Sequence, residues 1–406
     1  MLTDLADRVR HRLAQSDTTS VTPAMVAEAV RECAGGVLGH DDMLTALTQL
    51  RQEFTGAGPL DPLIATNATD ILVTAPDQVW TDTPTGLHRT TVRFPDDAAV
   101  RRLAQRLALA AGRRLDDAQP FVDAWLPSTV TDTQVRMHAV LPPIATSTCL
   151  SLRILRPATH TLDHLTRLGT FTTPTADLLT AIVKSRLAFL VSGCTGSGKT
   201  TLLSALLSAV PPTERIVCIE DAGELHPDHP QFVRLLSRPP NIEGAGEVTQ
   251  RDLVRQSLRM RPDRIVVGEV RGAELIDLLT ALNTGHDGGA GTVHANTPGE
   301  VPARLEALAS LAGTPTQALH SQLAAAVHLV IHMTRSGPHR TLTEIAVLHR
   351  AGPTVQATPA WRDNRPTQDY PLLVNLLKGP KQPFPSRPDP IPGQPPQRTT
   401  RPCPQP

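Results

Sequence analysis

Residues 193–200 read Gly193-Cys194-Thr195-Gly196-Ser197-Gly198-Lys199-Thr200, the pattern G-x-x-x-x-G-K-[ST]. Each part has a separate task on a nucleoside triphosphate. The three glycines let the backbone curl and aim successive N–H groups at phosphate oxygens. Lys199 would reach the β- and γ-phosphates, and the Thr200 hydroxyl would ligate Mg²⁺. Thr201 follows on the same turn, so residues 193–201 are the candidate nucleotide-binding set. Further on, Arg264-Ile-Val-Val-Gly-Glu269 is an apolar run ending in an acid, and Arg215-Ile-Val-Cys-Ile-Glu220-Asp221 repeats the arrangement. An acid at the carboxyl end of a strand in an open α/β sheet stands where ligands bind. Glu269 could orient or deprotonate a water attacking a γ-phosphate. Glu220, Asp221 and Glu224 could hold Mg²⁺ through water or hydrogen-bond the nucleophile. The glycine-rich stretch from Gly285-His286 to His294-Ala-Asn296 carries two histidines suited to sensing phosphate. Zinc is disfavoured there, because no cysteine or third histidine has ligand spacing.

The surrounding pattern supplies the elements these residues need. Leu187-Ala-Phe-Leu-Val191 suits a buried parallel strand, and residues 200–210 suit a helix that stops at Pro211-Pro212, so the phosphates would sit on a helix N-terminus. Residues 158–350 alternate strands and helices, the mark of a doubly wound, mainly parallel sheet. Residues 56–157 read as a smaller α+β domain. It has short strands at 70–75 and 78–82 about the turn Pro76-Asp77, an amphipathic helix from Asp96 to Ala111 ended by Gly112, and strands at 135–141 and 149–155. Residues 1–55 read as a helical segment, from apolar residues at spacings of three and four. From Pro380 onward 11 of 27 residues are proline. Residues 351–406 are therefore expected to be a disordered tail.

Bulk properties narrow the class. The 406 residues carry no formal net charge and only 3% aromatics, which disfavours a nucleic-acid-coated surface and base stacking. The five cysteines include no C-x-x-C pair, which suits a reducing cytosol. No run of apolar residues is long enough to span a bilayer, and the N-terminus does not read as a signal peptide, so attachment to a membrane would need other proteins.

In this order the motifs resemble the secretion ATPases of the type II/type IV superfamily, most closely the CpaF-like ATPases of Tad (tight adherence, Flp) pilus systems. Residues 193–200 correspond to the family's Walker A, and Ile219-Glu220-Asp221-Ala-Gly-Glu224-Leu to its acidic box. Leu258-Arg-Met-Arg-Pro-Asp-Arg-Ile-Val-Val-Gly-Glu269-Val-Arg271-Gly corresponds to its Walker B, and residues 285–296 to its His box. Upstream, Gly58-Pro-Leu-Asp-Pro-Leu, Gly112-Arg-Arg-Leu-Asp-Asp and Val135-Arg136-Met-His-Ala-Val-Leu-Pro-Pro143 resemble its N-terminal domain. Two departures are Cys194, where many relatives have Gly or Ala, and Gly291, where many have Ser.

The resemblance implies a RecA-like P-loop ATPase capped by its own N-terminal domain and assembled as a homo-hexamer. It implies ATP and Mg²⁺ as cofactors, and catalytic roles for Glu269, Lys199, Glu220, Glu224 and His294. Arg136 and Arg153 match the family's phosphate-clamping arginines. The implied setting is cytoplasmic and peripheral, at the inner-membrane platform proteins of a pilus or secretion system. Two other functions stay open: a conjugal DNA-transfer motor, and a scaffold that binds ATP without hydrolysing it.

Overall fold

Alternation of apolar and polar residues builds the first sheet. In the computed structural model of the chain, the described residues are 8–9, 11–12, 23–34 and 56–379, apart from 84, 132, 156–159, 242–243 and 338. Residues 8–9 and 11–12 are helical, and α1 (Pro23–Ala34) buries Val26, Ala29 and Val30 along one stripe. The rest of the expected helical segment lies outside the described residues. The next domain contains β1 (Asp70–Ala75), β2 (Gln78–Thr83), β3 (Gly86–Arg89), α2 (Asp97–Ala110), β4 (Phe121–Trp125), β5 (Gln134–Val140) and β6 (Cys149–Leu155). These strands pair in the order β3-β2-β1-β6-β5-β4, all antiparallel. Val135, Met137 and Ala139 of β5 and Leu150, Leu152 and Ile154 of β6 point into a core shared with Val100, Leu103 and Leu107 of α2. Each such side chain contributes about 1.5–3 kcal/mol on burial. The opposite face is polar, and the register sets Asp70, Arg153 and Arg136 side by side across β1, β6 and β5. Asp96 caps α2, its carboxylate accepting the Ala99 N–H at 2.7 Å.

The second domain follows residues 156–159. It begins with α3 (Leu162–Arg167), α4 (Thr173–Lys184), β7 (Phe189–Ser192), α5 (Lys199–Ser208), β8 (Ile216–Glu220), β9 (Phe232–Leu236) and α6 (Gln250–Ser257). Then come β10 (Arg264–Val267), α7 (Glu274–Leu282), β11 (Ala290–Val293), α8 (Val301–Leu311) and α9 (Thr316–Ala326). It closes with β12 (Leu329–Ser336), β13 (His339–Ala351), β14 (Thr354–Arg362), β15 (Arg365–Pro366) and α10 (Tyr370–Lys378). The strands pair in the order β15-β14-β13-β12-β7-β11-β10-β8-β9, parallel from β12 to β9 and antiparallel from β12 to β15. Helices cover both faces. One core joins the sheet to Leu178, Leu179, Leu202 and Leu206 of α4 and α5, and the other joins it to Leu275, Leu279, Leu305 and Leu323 of α7, α8 and α9. β7, β8, β10 and β11 are buried at every residue, as parallel strands between two helical layers must be.

One expectation is corrected. The tail does not start at residue 351: β13 runs to Ala351, β14, β15 and α10 extend the same domain, and Trp361 and Leu373 enter its core. Counting prolines drew attention to the end of the chain and obscured the apolar residues at 355, 357, 360, 361 and 373. Residues 380–406 lie outside the described residues.

Candidate active site

β7 pairs with β11 on one side and β12 on the other, and its carboxyl end delivers Gly193 into the loop that opens α5. Gly198 takes φ +93° at the helix start, a left-handed conformation that favours glycine. The Lys199 ammonium is turned inward and donates to the Gly193 and Cys194 carbonyls at 3.0 and 2.9 Å. Burial lowers its pKa, opposed by the Glu269 charge. Ser197 is fully buried, and its hydroxyl has no hydrogen-bond partner among the described residues. A buried cation and an unpartnered hydroxyl in a glycine loop fit a polyphosphate, which would supply the missing acceptors. The Thr200 hydroxyl donates to Glu224 Oε2 at 3.4 Å. Among the described residues no three His, Cys, Asp or Glu side chains form a metal cage. Mg²⁺ here would rest on Thr200, with water and phosphate oxygens completing its shell.

The ends of the neighbouring strands bring the second set of groups alongside. Glu269 follows β10 and His294 follows β11. Glu269 Oε1 lies 2.9 Å from His294 Nε2, and Oε2 accepts from Arg271 Nη2 at 2.5 Å. Burial pushes the Glu269 carboxyl up, but Arg271, His294 and Lys199 together hold it below its ordinary value, so it is ionised at neutral pH. Burial, then the Lys199 charge, lowers the His294 pKa. A neutral imidazole with Nε2–H toward the carboxylate satisfies that pair. Thr292 ties the two strand ends together, donating to the Gly268 carbonyl at 2.7 Å.

These groups line one cleft of about 1040 Å³ between the two domains. Thr195, Gly196, Gly198, Lys199, Thr200, Thr201, Glu224, Glu269 and His294 face it from the second domain, and Arg153 faces it from the first. A family profile described as "Type II/IV secretion system protein" matches residues 53–359, which take in both domains and the cleft. The chain belongs to this family. A putative conjugal transfer protein of Mycobacterium tuberculosis (strain H37Rv) is 61% identical over 347 residues, covering 84% of this chain and 99% of that protein. The conjugal transfer protein TrbB of Rhizobium radiobacter is 32% identical over 251 residues, 61% of this chain and 74% of that one. In fold the chain is similar to the ATPase DotB of Legionella pneumophila, with TM-score 0.51, 18% identity and 82% of each chain covered.

Within this secretion-family architecture several expected site residues do not face the cleft. Glu220 is 3% exposed and spent on structure. Its Oε1 accepts the Glu224 and Leu225 N–H groups at 3.0 and 2.9 Å, and its Oε2 pairs with Arg234 Nε at 3.1 Å. It shapes the acidic turn instead of reaching a metal or a nucleophile. Asp221 accepts from the Ser237 hydroxyl at 2.6 Å and lies 3.7 Å from Arg271 Nη1. His286 is at the opposite end of β11 from His294 and bonds the Ala281 carbonyl closing α7, at 3.1 Å, so the two histidines are not a pair. The glycines between them serve packing: a Cβ on Gly289 would lie 2.4 Å from Leu282 and 2.6 Å from the Ile265 carbonyl oxygen. Cys194 is exposed, and Gly193 lies against the Met333 carbonyl oxygen, which a Cβ there would meet at 2.3 Å. Arg136 forms a bidentate pair with Asp123, at 2.9 and 2.5 Å, close enough to feel the charges of Arg271 and Asp221 in the other domain. Arg153, which does face the cleft, pairs there with Asp70 at 3.2 Å.

Other functional candidates of this secretion-family chain escaped the sequence reading. Arg271 stands in the Walker B stretch with no spacing that signals a role, and it bridges toward Glu269 and Asp221. Its backbone N–H, with that of Gly272, is fixed by the buried Glu274 carboxylate at 2.5 and 2.7 Å. His332 on β12 bonds the Ser192 hydroxyl at 2.8 Å behind the phosphate loop. Arg335 and Arg340 line the cleft from β12 and β13. None of the last three lies near a motif, and only the strand pairing brings them in.

Proposed function

We propose that the chain is a Mg²⁺-dependent ATPase motor, acting as a homo-hexamer at the cytoplasmic face of a membrane complex and driving pilus assembly or protein export. The observation that supports this reading best is the ionised Glu269 held by His294 and Arg271 in the cleft that Lys199 and Thr200 enter. Bound MgATP supplies a phosphoanhydride whose γ-phosphoryl departs with its charge spread over several oxygens. Lys199 would leave its loop carbonyls for phosphate oxygens. Glu269 would orient the attacking water and take its proton. His294 would fix the Glu269 carboxylate, and its neutral form avoids adding a second cation beside Lys199. Arg136 and Arg153 would close the first domain over the γ-phosphate, their planar forks matching its oxygens. Release of that contact on hydrolysis would turn bond cleavage into domain rotation.

The test is phosphate release from MgATP over a range of protein concentrations, with Glu269→Gln in parallel. Turnover that rises more than linearly with concentration and vanishes in Glu269→Gln supports the motor. Turnover independent of concentration sinks the ring. A second reading, a DNA-transfer motor, is favoured by the names of the Mycobacterium tuberculosis and Rhizobium relatives. Hydrolysis stimulated severalfold by DNA and lost steeply in added salt would select it.

A further inference from the structure

The hairpin of β12 and β13 lies against the phosphate loop along much of its length. A Cβ on Gly193 would lie 2.3 Å from the Met333 carbonyl oxygen, one on Gly196 3.0 Å from Arg335 Nη1, and one on Gly198 3.2 Å from Arg340 Cδ. Arg340 Nε donates to the Gly196 carbonyl at 3.0 Å. The glycines of this loop therefore also admit a second element of the same domain.

That element carries charge in an unusual arrangement. Arg335 and Arg340 are directly opposed in the antiparallel register, and both are exposed to the cleft. Like charges directly opposite each other on paired strands are destabilising. No carboxylate answers them among the described contacts. Arg335 Nε turns back to the Gly337 carbonyl at 3.0 Å, and Arg340 Nε is held by Gly196. Two guanidinium forks thus keep their Nη groups beside a loop that already presents Lys199. Such a site suits an anion with several oxygens.

We infer that the Arg335–Arg340 pair is a second anion-binding element of the nucleotide site, gripping the phosphate chain together with Lys199. Arg335 contacts the phosphates directly. Arg340 both contacts them and positions the loop through the Gly196 carbonyl. The inference rests on the nucleotide reading of the same loop and adds to it a pair of residues that no motif supplies.

The test measures the affinity of a fluorescent ADP and a fluorescent ATP for full-length wild type, Arg335→Ala, Arg340→Ala and the two Lys variants, together with nucleotide-free Tm. Each Ala variant is expected to bind about tenfold more weakly, the loss of one charge-assisted contact. Its nucleotide-free Tm should hold or rise, because the opposed charges are relieved. Lys, which keeps the charge without the fork, should recover part of the affinity. Wild-type affinity in both Ala variants overturns the inference while leaving the nucleotide reading intact. A lower Tm with weakened binding in Ala makes the Lys variants decisive: recovered affinity supports the pair, and no recovery assigns the hairpin a structural role. Failure of the wild type itself to bind either nucleotide removes both readings together.

Discussion

Glu269 and His294 meet at 2.9 Å from the carboxyl ends of two paired parallel strands, one carrying the carboxylate and the other the imidazole. Neither is held by its own loop alone. Thr292 ties the strand ends, and Arg271 takes the second Glu269 oxygen. The carboxylate is thus held from two sides, as the proposed water-positioning role would require.

If the two act as one unit, their losses will not add. Glu269→Gln should lower kcat by about 10²–10⁴ while nucleotide affinity stays within about threefold. His294→Ala should lower kcat less, and the double variant should be no slower than Glu269→Gln. Additive losses in phosphate-release assays would show that His294 works on something other than Glu269.

Arg136 is engaged bidentately by Asp123 on the facing strand, so reaching a phosphate means leaving that partner. Arg136→Ala should keep nucleotide binding and lose turnover. Asp123→Ala frees the guanidinium and should leave turnover equal or higher. If Asp123→Ala is as inactive as Arg136→Ala, the ion pair itself is the working unit and the clamp role falls.

The sequence displayed what local chemistry controls and concealed what pairing controls. The phosphate loop, the strand feeding it and the cap at Asp96 were legible because turn, helix start and apolar run lie within a few residues of one another. Glu269 was legible as an acid ending a buried strand. Glu220 has the same local pattern yet turns inward, because Arg234 reaches it from the neighbouring strand β9, a pairing no spacing reveals. Arg335 and Arg340 become partners only through the β12–β13 register. The glycines at 288 and 289 misled for a related reason: a glycine run reads alike whether a phosphate or a neighbouring side chain approaches it.

Burial raises the Glu220 carboxyl from 4.5 to about 7, even against its two backbone donors and Arg234. A raised folded-state pKa fixes the sign: the contribution to stability is complete below the unfolded value of 4.5 and is lost as pH rises through about 7. By pH 8 the loss should be on the order of 3 kcal/mol. Glu220→Gln removes the ionisation, so the Tm advantage of wild type over this variant should shrink between pH 5 and pH 8. A difference that is flat over that range would mean the group titrates normally in the fold.

Gly289 decides what the glycines before β11 are for. Its N-terminal neighbour Gly288 lies against the buried Arg264 guanidinium, and a Cβ on Gly289 would drive into Leu282 and the backbone of β10. The flexible Leu282 side chain can yield, but the Ile265 carbonyl oxygen belongs to a strand paired on both sides. Gly289→Ala should therefore destabilise the fold by about 1–3 kcal/mol, as overpacking does. Tm should fall by several degrees, while nucleotide affinity of the folded protein stays unchanged, because this end of β11 is remote from Lys199. The opposite result, normal Tm with weakened nucleotide binding, would return the glycine run to the phosphate and make His286 a site residue after all.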